Sequence, residues 1–339
     1  MNQRWYRVIF TPSVRNRTEG VFSLIGSDNM IEKPMDVLTF FPVRKSGKQK
    51  QAFRDEIQSY AASLGYETTI EKGSFGSKNI IIGNPDSAEY LITAHYDTPA
   101  GLPFPNLITP CNFVPFLGYQ LFVTAMIFIF VFVIGFSAAF LLSNNEAVIF
   151  LIAYASIWFV LAMMMVGPAN KNNANDNTSG VVTVLETAAS MPEEYRGKVC
   201  FVLFDLEEAG LIGSSSYRKK HKKQSDRQVI LNLDCVGEGS EILLFPTRGM
   251  KKDKEKMGRL SRICGPADQR NVSVRTRGFA YYPSDQAQFP CGVGICALKK
   301  SMFGLYLGRI HTKRDTILDE ENVSILRNCL IRLVADAAE

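Results

Sequence analysis

The chain has 339 residues, 46% of them hydrophobic, and its 38 Lys and Arg against 33 Asp and Glu leave a formal charge of +5. That length buries a sizeable core without disulfide staples, and scattered basic residues without interleaved aromatics argue against a nucleic-acid partner. Seven cysteines with no CxxC spacing, and an opening "MNQRWYRVIF" that lacks an apolar run before a small-residue cleavage site, point to free thiols in a reducing compartment.

Residues 1–45 form an N-terminal segment. A helix is expected from Gln49 to Leu64, stopped by Gly65, followed by strand-length apolar runs at "NIIIG" near Ile80 and "YLITAHYD" from Tyr90. From Thr98 to Asn145 there is no charged residue. The stretch 117–143 would make a helix roughly 40 Å long, and a second apolar run, 147–167, follows after only three linker residues. Each can cross a hydrocarbon core of about 30 Å. Two spans joined so tightly form a hairpin, residues 111–167, that returns the chain to the side it left. The expectation is an integral protein of the cell membrane, in contact with the lipid bilayer; a turn without Lys or Arg, together with the cysteine usage and the opening residues, points the flanking parts toward the cytoplasm.

After the hairpin, helices are expected over Thr178–Ser190, Ser214–Lys223, Lys254–Arg262 and Glu321–Ala337. Strands are expected at "VCFVLFDLEE" from Val199, "VILNLDCVG" from Val229, "EILLFP" from Glu241 and "GVGICALKK" from Gly292. Continuous β-rich runs alternating with helices describe an α/β layered domain, residues 46–110 and 168–339, with a largely parallel or mixed central sheet. The basic run "YRKKHKK", Tyr217 to Lys223, reads as a solvated helix end, with His221 a surface residue.

Of the three histidines, His95 in "TAHYDTP" and His311 in "RIHTKRDT" each have a carboxylate close behind, Asp97 and Asp315. A metal-bound imidazole commonly donates its second N–H to such a group. Three more strand ends terminate in carboxylates: Asp176 in "NANDNTSG", the pair Glu207 and Glu208 in "FDLEEAG", and Asp234 in "NLDCVG". Gathered on one rim of a sheet they would repel unless a cation neutralised them. Carboxylate and imidazole donors suit zinc, and five ligands exceed the three or four of one catalytic ion, which points to two metals sharing a carboxylate.

The ordered set "HYD", "DNTSG", "EEAGLIGS", "NLDCVG" and "IHTKRDT" resembles metallopeptidase family 28, the co-catalytic di-zinc aminopeptidases and their glutaminyl cyclase relatives. The resemblance runs from about Ser46 to Ala337, the hairpin excepted. It implies a three-layer α/β/α zinc-exopeptidase fold and two zinc ions per chain: His95 and Asp234 on one, Glu208 and His311 on the other, Asp176 between them. Glu207 is then the general base, taking a proton from the attacking water and passing it to the leaving amine. "YYPSDQAQF" is similar to the segment lining the family's substrate pocket, and makes Tyr281, or Tyr282 in its stead, the phenol that donates to the oxyanion. Gln286 stands where the family often has His, so substrate contacts are expected to differ there.

The hairpin separates His95 from Asp176, so the catalytic domain must sit at the membrane entrance. The expected activity is that of a membrane-anchored aminopeptidase acting on a peptide substrate. The alternatives are an amidohydrolase for N-acyl amino acids or lipopeptides, a glutaminyl-cyclase-like acyltransferase, and a non-catalytic membrane scaffold. Retention of all five ligands disfavours the last two.

Overall fold

The computed structural model describes residues 6–7, 30–104, 106–141, 145–267, 269–302 and 304–336. Most of the N-terminal segment, the end of the first expected span at 142–143, Asn144 of its turn, and Ala337 lie outside the described residues.

Among the described residues ten strands form one sheet: β1 (Thr68–Lys72), β2 (Lys78–Ile82), β3 (Tyr90–His95), β4 (Val199–Phe204), β5 (Val229–Leu233), β6 (Glu241–Pro246), β7 (Gly265–Ala267), β8 (Arg270–Val274), β9 (Gly292–Ser301) and β10 (Gly304–Tyr306). Their order is β1-β2-β4-β3-β5-β9-β6-β8-β7, with β10 on β9. The central four, β4-β3-β5-β9, are parallel. The outer pairings are antiparallel except for β6 with β8. β3, β4 and β5 are buried along their whole length, which is why they read as unbroken apolar runs rather than alternating ones.

Alternate residues of those strands face two cores. Ile80, Ile82, Ile92, Phe201 and Leu231 pack under α1 (Gly47–Ser63), α4 (Ser179–Ser190), α6 (Lys254–Arg262) and α7 (Glu320–Asp336). Ile81, Leu91, Val202 and Ile230 face the other way, against Tyr217 of α5 (Ile212–Lys220) and Phe289. The result is three layers. Ser46 starts α1 with a reciprocal cap: its hydroxyl accepts from the Gln49 amide while the Gln49 side chain accepts from the Ser46 amide. Gly65, at φ +83°, stops it, in a left-handed conformation that costs a glycine little. Residues 31–44, assigned by sequence to the N-terminal segment, belong to the core: Ile31, Val37, Leu38 and Phe41 join the main cluster and Arg44 is wholly buried.

Helices α2 (Phe113–Leu141) and α3 (Glu146–Val166) pack against each other as an antiparallel hairpin and are long and apolar enough to cross a membrane. Val131, Gly135 and Ala138 form the buried seam of α2, and a methyl group added at Gly135 would sit 4.0 Å from Ala153 and Ile149. Many of their other large side chains, among them Phe128, Phe132, Phe136, Trp158 and Phe159, are exposed.

Strands β1, β7, β8 and β10 were not expected from the sequence. All are short, half-exposed or at an edge. His221 is partly buried rather than free at the surface: its ring stacks on Tyr217 at 4.3 Å and its Nε2 lies 2.8 Å from Glu71.

Candidate metal centre

Because β3, β4 and β5 are parallel, the residues that follow them emerge on one edge. His95 closes β3, Glu207 and Glu208 lie just beyond β4, and Asp234 follows β5. The other two residues arrive differently. Asp176 comes from the irregular stretch Ala174–Thr178 that leads into α4, not from a strand end, and His311 sits in the loop before α7 at φ +61°. Left-handed backbone at Leu206, Cys235 and His311, each costing about 1–3 kcal/mol for a residue other than glycine, turns the chain sharply beside these groups.

Asp176 lies at the middle. Its Oδ1 is 3.4 Å from His95 Nε2, and its Oδ2 is 3.2 Å from His311 Nε2. Asp234 Oδ1 stands 3.8 Å from His95 Nε2, and Glu208 Oε2 3.7 Å from His311 Nε2. Among the described residues three donor groups result: His95/Asp176/Asp234 and Asp176/Glu208/His311, which share Asp176, and His95/Glu207/Glu208. Atoms about 2.0–2.2 Å from a tetrahedral zinc stand about 3.3–3.6 Å from one another, so these spacings fit a shared cation. Glu207 adjoins, in reach of His95 together with Glu208.

Electrostatics favour the same conclusion. Left to the side chains alone, burial pushes Glu207 and Glu208 well above the usual carboxylate range, and neighbouring carboxylates add to it. Burial also raises Asp176, but the two imidazoles outweigh it and hold that carboxyl well below its ordinary value. For His95, burial is outweighed by Glu207 and by the carboxylates of Asp176, Asp234 and Asp97, which hold it well above its ordinary value. A divalent ion relieves the repulsion directly.

The two expected supporting carboxylates behave unlike each other. Asp97 Oδ1 faces His95 Nδ1 at 3.5 Å, and its two oxygens accept the amides of Glu207 (3.0 Å) and Glu208 (3.2 Å). One side chain thus ties the first motif to the acidic loop. Asp315 does not pair with His311, as its spacing suggested. It accepts the amides of Asn175 (2.8 Å) and Asp176 (3.0 Å) instead, and His311 Nδ1 is buried without a hydrogen-bond partner among the described residues. The left-handed turn at His311 carries the chain beneath the Asp176 stretch rather than behind the imidazole.

Tyr281 and Tyr282 also diverge. Tyr282 turns inward and its hydroxyl donates to the Asp234 carbonyl (2.9 Å), whereas Tyr281 is 48% exposed. Gln286 is no cleft residue. It is buried, donating to the Tyr282 carbonyl (2.6 Å) and accepting from Asn232 (3.1 Å).

Several residues that organise the site escaped sequence reasoning. Arg44 donates to the carbonyls of Tyr96 and Phe41 (2.6 Å each) and to the Thr178 hydroxyl (3.1 Å), bracing the His95 loop against the Asp176 stretch. Burial brings its guanidinium down to about 10, opposed by Asp97. Asn177 accepts from the amides of Gly180 and Cys235 and donates to the Leu233 carbonyl, which fixes the Asp234 turn to the neighbour of Asp176. Asp205, behind the acidic loop, holds Lys50 at 2.5 Å. Asp285 is wholly buried and pushed up to about 7 by burial. The asparagine-rich "NANDN" was the one visible signal for this scaffolding. Close approach at Gly213 completes it: an added methyl group would lie 2.2 Å from the Asp205 carbonyl.

The sequence profile of peptidase family M28 matches residues 161–332, half of the chain. The chain belongs to peptidase family M28. As an M28 protein it is a zinc metallopeptidase, and its His and carboxylate cluster is one that could hold a metal ion. Solved structures with the same fold include the LapA aminopeptidase of Legionella pneumophila (14% identity, TM-score 0.56, covering 100% of this chain and 77% of that one). They also include a glutaminyl cyclase of Porphyromonas gingivalis (17%, 0.57, 93% and 99%). A third is a Zn-dependent exopeptidase of Parabacteroides distasonis (14%, 0.55, 91% and 97%). At these identities the likeness shows the fold alone. No curated protein sequence matches the chain.

Proposed function

We propose that this M28 protein is a membrane-anchored di-zinc aminopeptidase that hydrolyses the N-terminal peptide bond of hydrophobic or membrane-associated peptides. The observation that carries the proposal is the placement of Asp176, whose two oxygens face two different imidazoles at 3.4 and 3.2 Å. A carboxylate so placed suits a bridge. In this assignment His95 and Asp234 would hold one zinc and Glu208 and His311 the other, with Asp176 available to both. Presence of the second group, with its own His and Glu, favours hydrolysis over a one-zinc cyclase.

When bound, the zinc pair supplies Lewis acidity and lowers the pKa of a water. The chain's own residues do the rest. Glu207, outside the two donor groups that share Asp176, takes a proton from the attacking water at its carboxylate and gives it to the leaving amine. Asp97 keeps Glu207 in place through the Glu207 amide. Tyr281, with its ring exposed, is free to donate its phenolic proton to the developing oxyanion, whereas the Tyr282 hydroxyl is already engaged.

The domain of residues 46–110 and 168–339, joined by the core segment 31–44, is the catalytic part, and 111–167 an inserted hairpin. The outward apolar faces of α2 and α3 support placement in a bilayer. Lys45, whose ammonium donates to the Met165 carbonyl (3.3 Å) at the foot of α3, and Lys171 just beyond it add positive charge on the domain side, which favours the cytoplasm.

The test is the metal content of detergent-purified protein, together with amino-acid release from a peptide library by wild type and Glu207→Gln. About two zinc ions per chain, with release lost in the variant, supports the proposal. One zinc with pyroglutamate formation indicates a cyclase, and no zinc indicates a scaffold.

A further inference from the structure

The feet of the hairpin touch the loops that carry the proposed reactive groups. Ahead of α2, the Leu102 amide donates to the His311 carbonyl (2.8 Å), and the Pro110 carbonyl accepts from the Tyr281 amide (3.0 Å). At the end of α3, the Met165 methyl lies 4.0 Å from where a side chain on Gly210 of the acidic loop would begin. On the first turn of α2 the contact is aromatic. Phe116 meets Tyr281 edge to face, ring centroids 5.4 Å apart, and Phe279 fills in behind at 5.7 Å from Phe116 and 5.3 Å from Phe113.

Tyr281 needs such a neighbour. Among the described residues no hydrogen bond holds its phenol, its ring is half exposed, and the next residue turns inward to Asp234. The aromatic neighbour of its ring is Phe116, in the edge-to-face geometry that aromatic pairs prefer.

We propose that Phe116 is a positioning residue for the Tyr281 phenol, so that the hairpin is a working wall of the cleft rather than a tether. The inference rests on Tyr281 being the oxyanion donor. It makes catalysis sensitive to the tilt of α2, because a helix that tilts to match its bilayer carries Phe116, and with it the phenol, toward or away from the reacting carbonyl. A tether would leave the phenol indifferent.

The experiment is a double-mutant cycle on the full chain in detergent and in phosphatidylcholine vesicles, using leucine 4-nitroanilide as the probe, with zinc content as the control for folding. Tyr281→Phe is expected to lower kcat by about 100-fold. Phe116→Ala is expected to lower kcat by about tenfold with KM and zinc content nearly unchanged, to add nothing in the Tyr281→Phe background, and to be largely rescued by Phe116→Tyr. Should Phe116→Ala fail to fold, Phe116→Leu keeps the apolar contact while removing the ring edge, and the same cycle applies. Losses that multiply in the double variant, or a full kcat in Phe116→Ala beside a depressed one in Tyr281→Phe, overturn the inference while leaving the role of Tyr281 intact. Wild-type kcat in Tyr281→Phe overturns that role, and the inference with it.

Discussion

His95 and Asp176 face each other at 3.4 Å although the entire apolar hairpin separates them in sequence. The hairpin can be inserted there because its two feet run side by side: the Gly101 amide donates to the Pro168 carbonyl (2.8 Å), and the Asn170 amide to the Pro99 carbonyl (2.9 Å). Chain leaves and returns at nearly one point, so the sheet edge is undisturbed.

Asp97 touches both halves of the site, so Asp97→Asn is expected to weaken zinc binding by about 10–100-fold, the range seen when a carboxylate behind a metal-bound imidazole is removed. The neutral amide no longer polarises His95, and its NH2 end meets one of the two amides that Asp97 accepts. Competition against a chelator of known affinity measures it. Unchanged zinc affinity would show that the 3.5 Å approach to His95 is incidental.

Zinc-stripped protein should lose thermal stability as pH rises. Burial holds the carboxyls of Glu207 and Glu208 well above 4.5, and surrounding carboxylates, overcoming burial, hold His95 well above 6.5. The folded chain therefore keeps these protons when the unfolded chain has released them. Their contribution is complete below the unfolded values and is lost as pH climbs through the raised ones. Asp176 has the opposite sign: burial raises it but His311 and His95 lower it further, so its contribution is complete above 3.8 and lost only in stronger acid. Zinc binds the deprotonated ligands, so loaded protein should gain over the same range. Melting scans from about pH 5 to about pH 9, with and without chelator, check the crossing. A stripped protein that becomes steadily more stable toward pH 9 would mean that Glu207, Glu208 and His95 do not hold their protons in the folded chain.

Lys50 and Asp205 are buried together at 2.5 Å, with side chains 8% and 4% exposed. Lys50→Met removes one partner and leaves the carboxylate without its cation, at an expected cost of about 3–5 kcal/mol. Asp205 still accepts the Lys78 amide, which keeps the loss toward the lower end. Equilibrium unfolding in denaturant measures it. A stability within experimental error of wild type would mean that the pair is solvated.

Much of this fold was legible because burial leaves a mark on composition. β3, β4 and β5 are buried on both faces, and no short surface element imitates their unbroken runs. The ten-residue β9 was visible for the same reason, while β1, with its half-exposed pattern, and the three-residue β7 and β10 leave no comparable mark. In the site, residues with rare chemistry stood out: two of three histidines and the paired glutamates. Supporting residues did not, because Arg44 and Asn177 act through backbone carbonyls and amides supplied by distant segments, and nothing local in "PVRKSG" or "NDNTSG" foretells which ones. Asp315 misled for a related reason. Spacing in sequence suggested a partner for His311, but a left-handed turn redirected the carboxylate to the amides of Asn175 and Asp176.

The central claim is that groups from either side of the hairpin converge on a pair of divalent ions bridged by Asp176. Anomalous scattering collected above and below the zinc edge, on crystals of the full chain, tests it most directly. Two peaks about 3.5–4 Å apart are predicted, one beside His95 and Asp234 and one beside His311 and Glu208, both absent in Asp176→Ala. A single peak bound without Asp176, or two peaks that persist unchanged in Asp176→Ala, would contradict it.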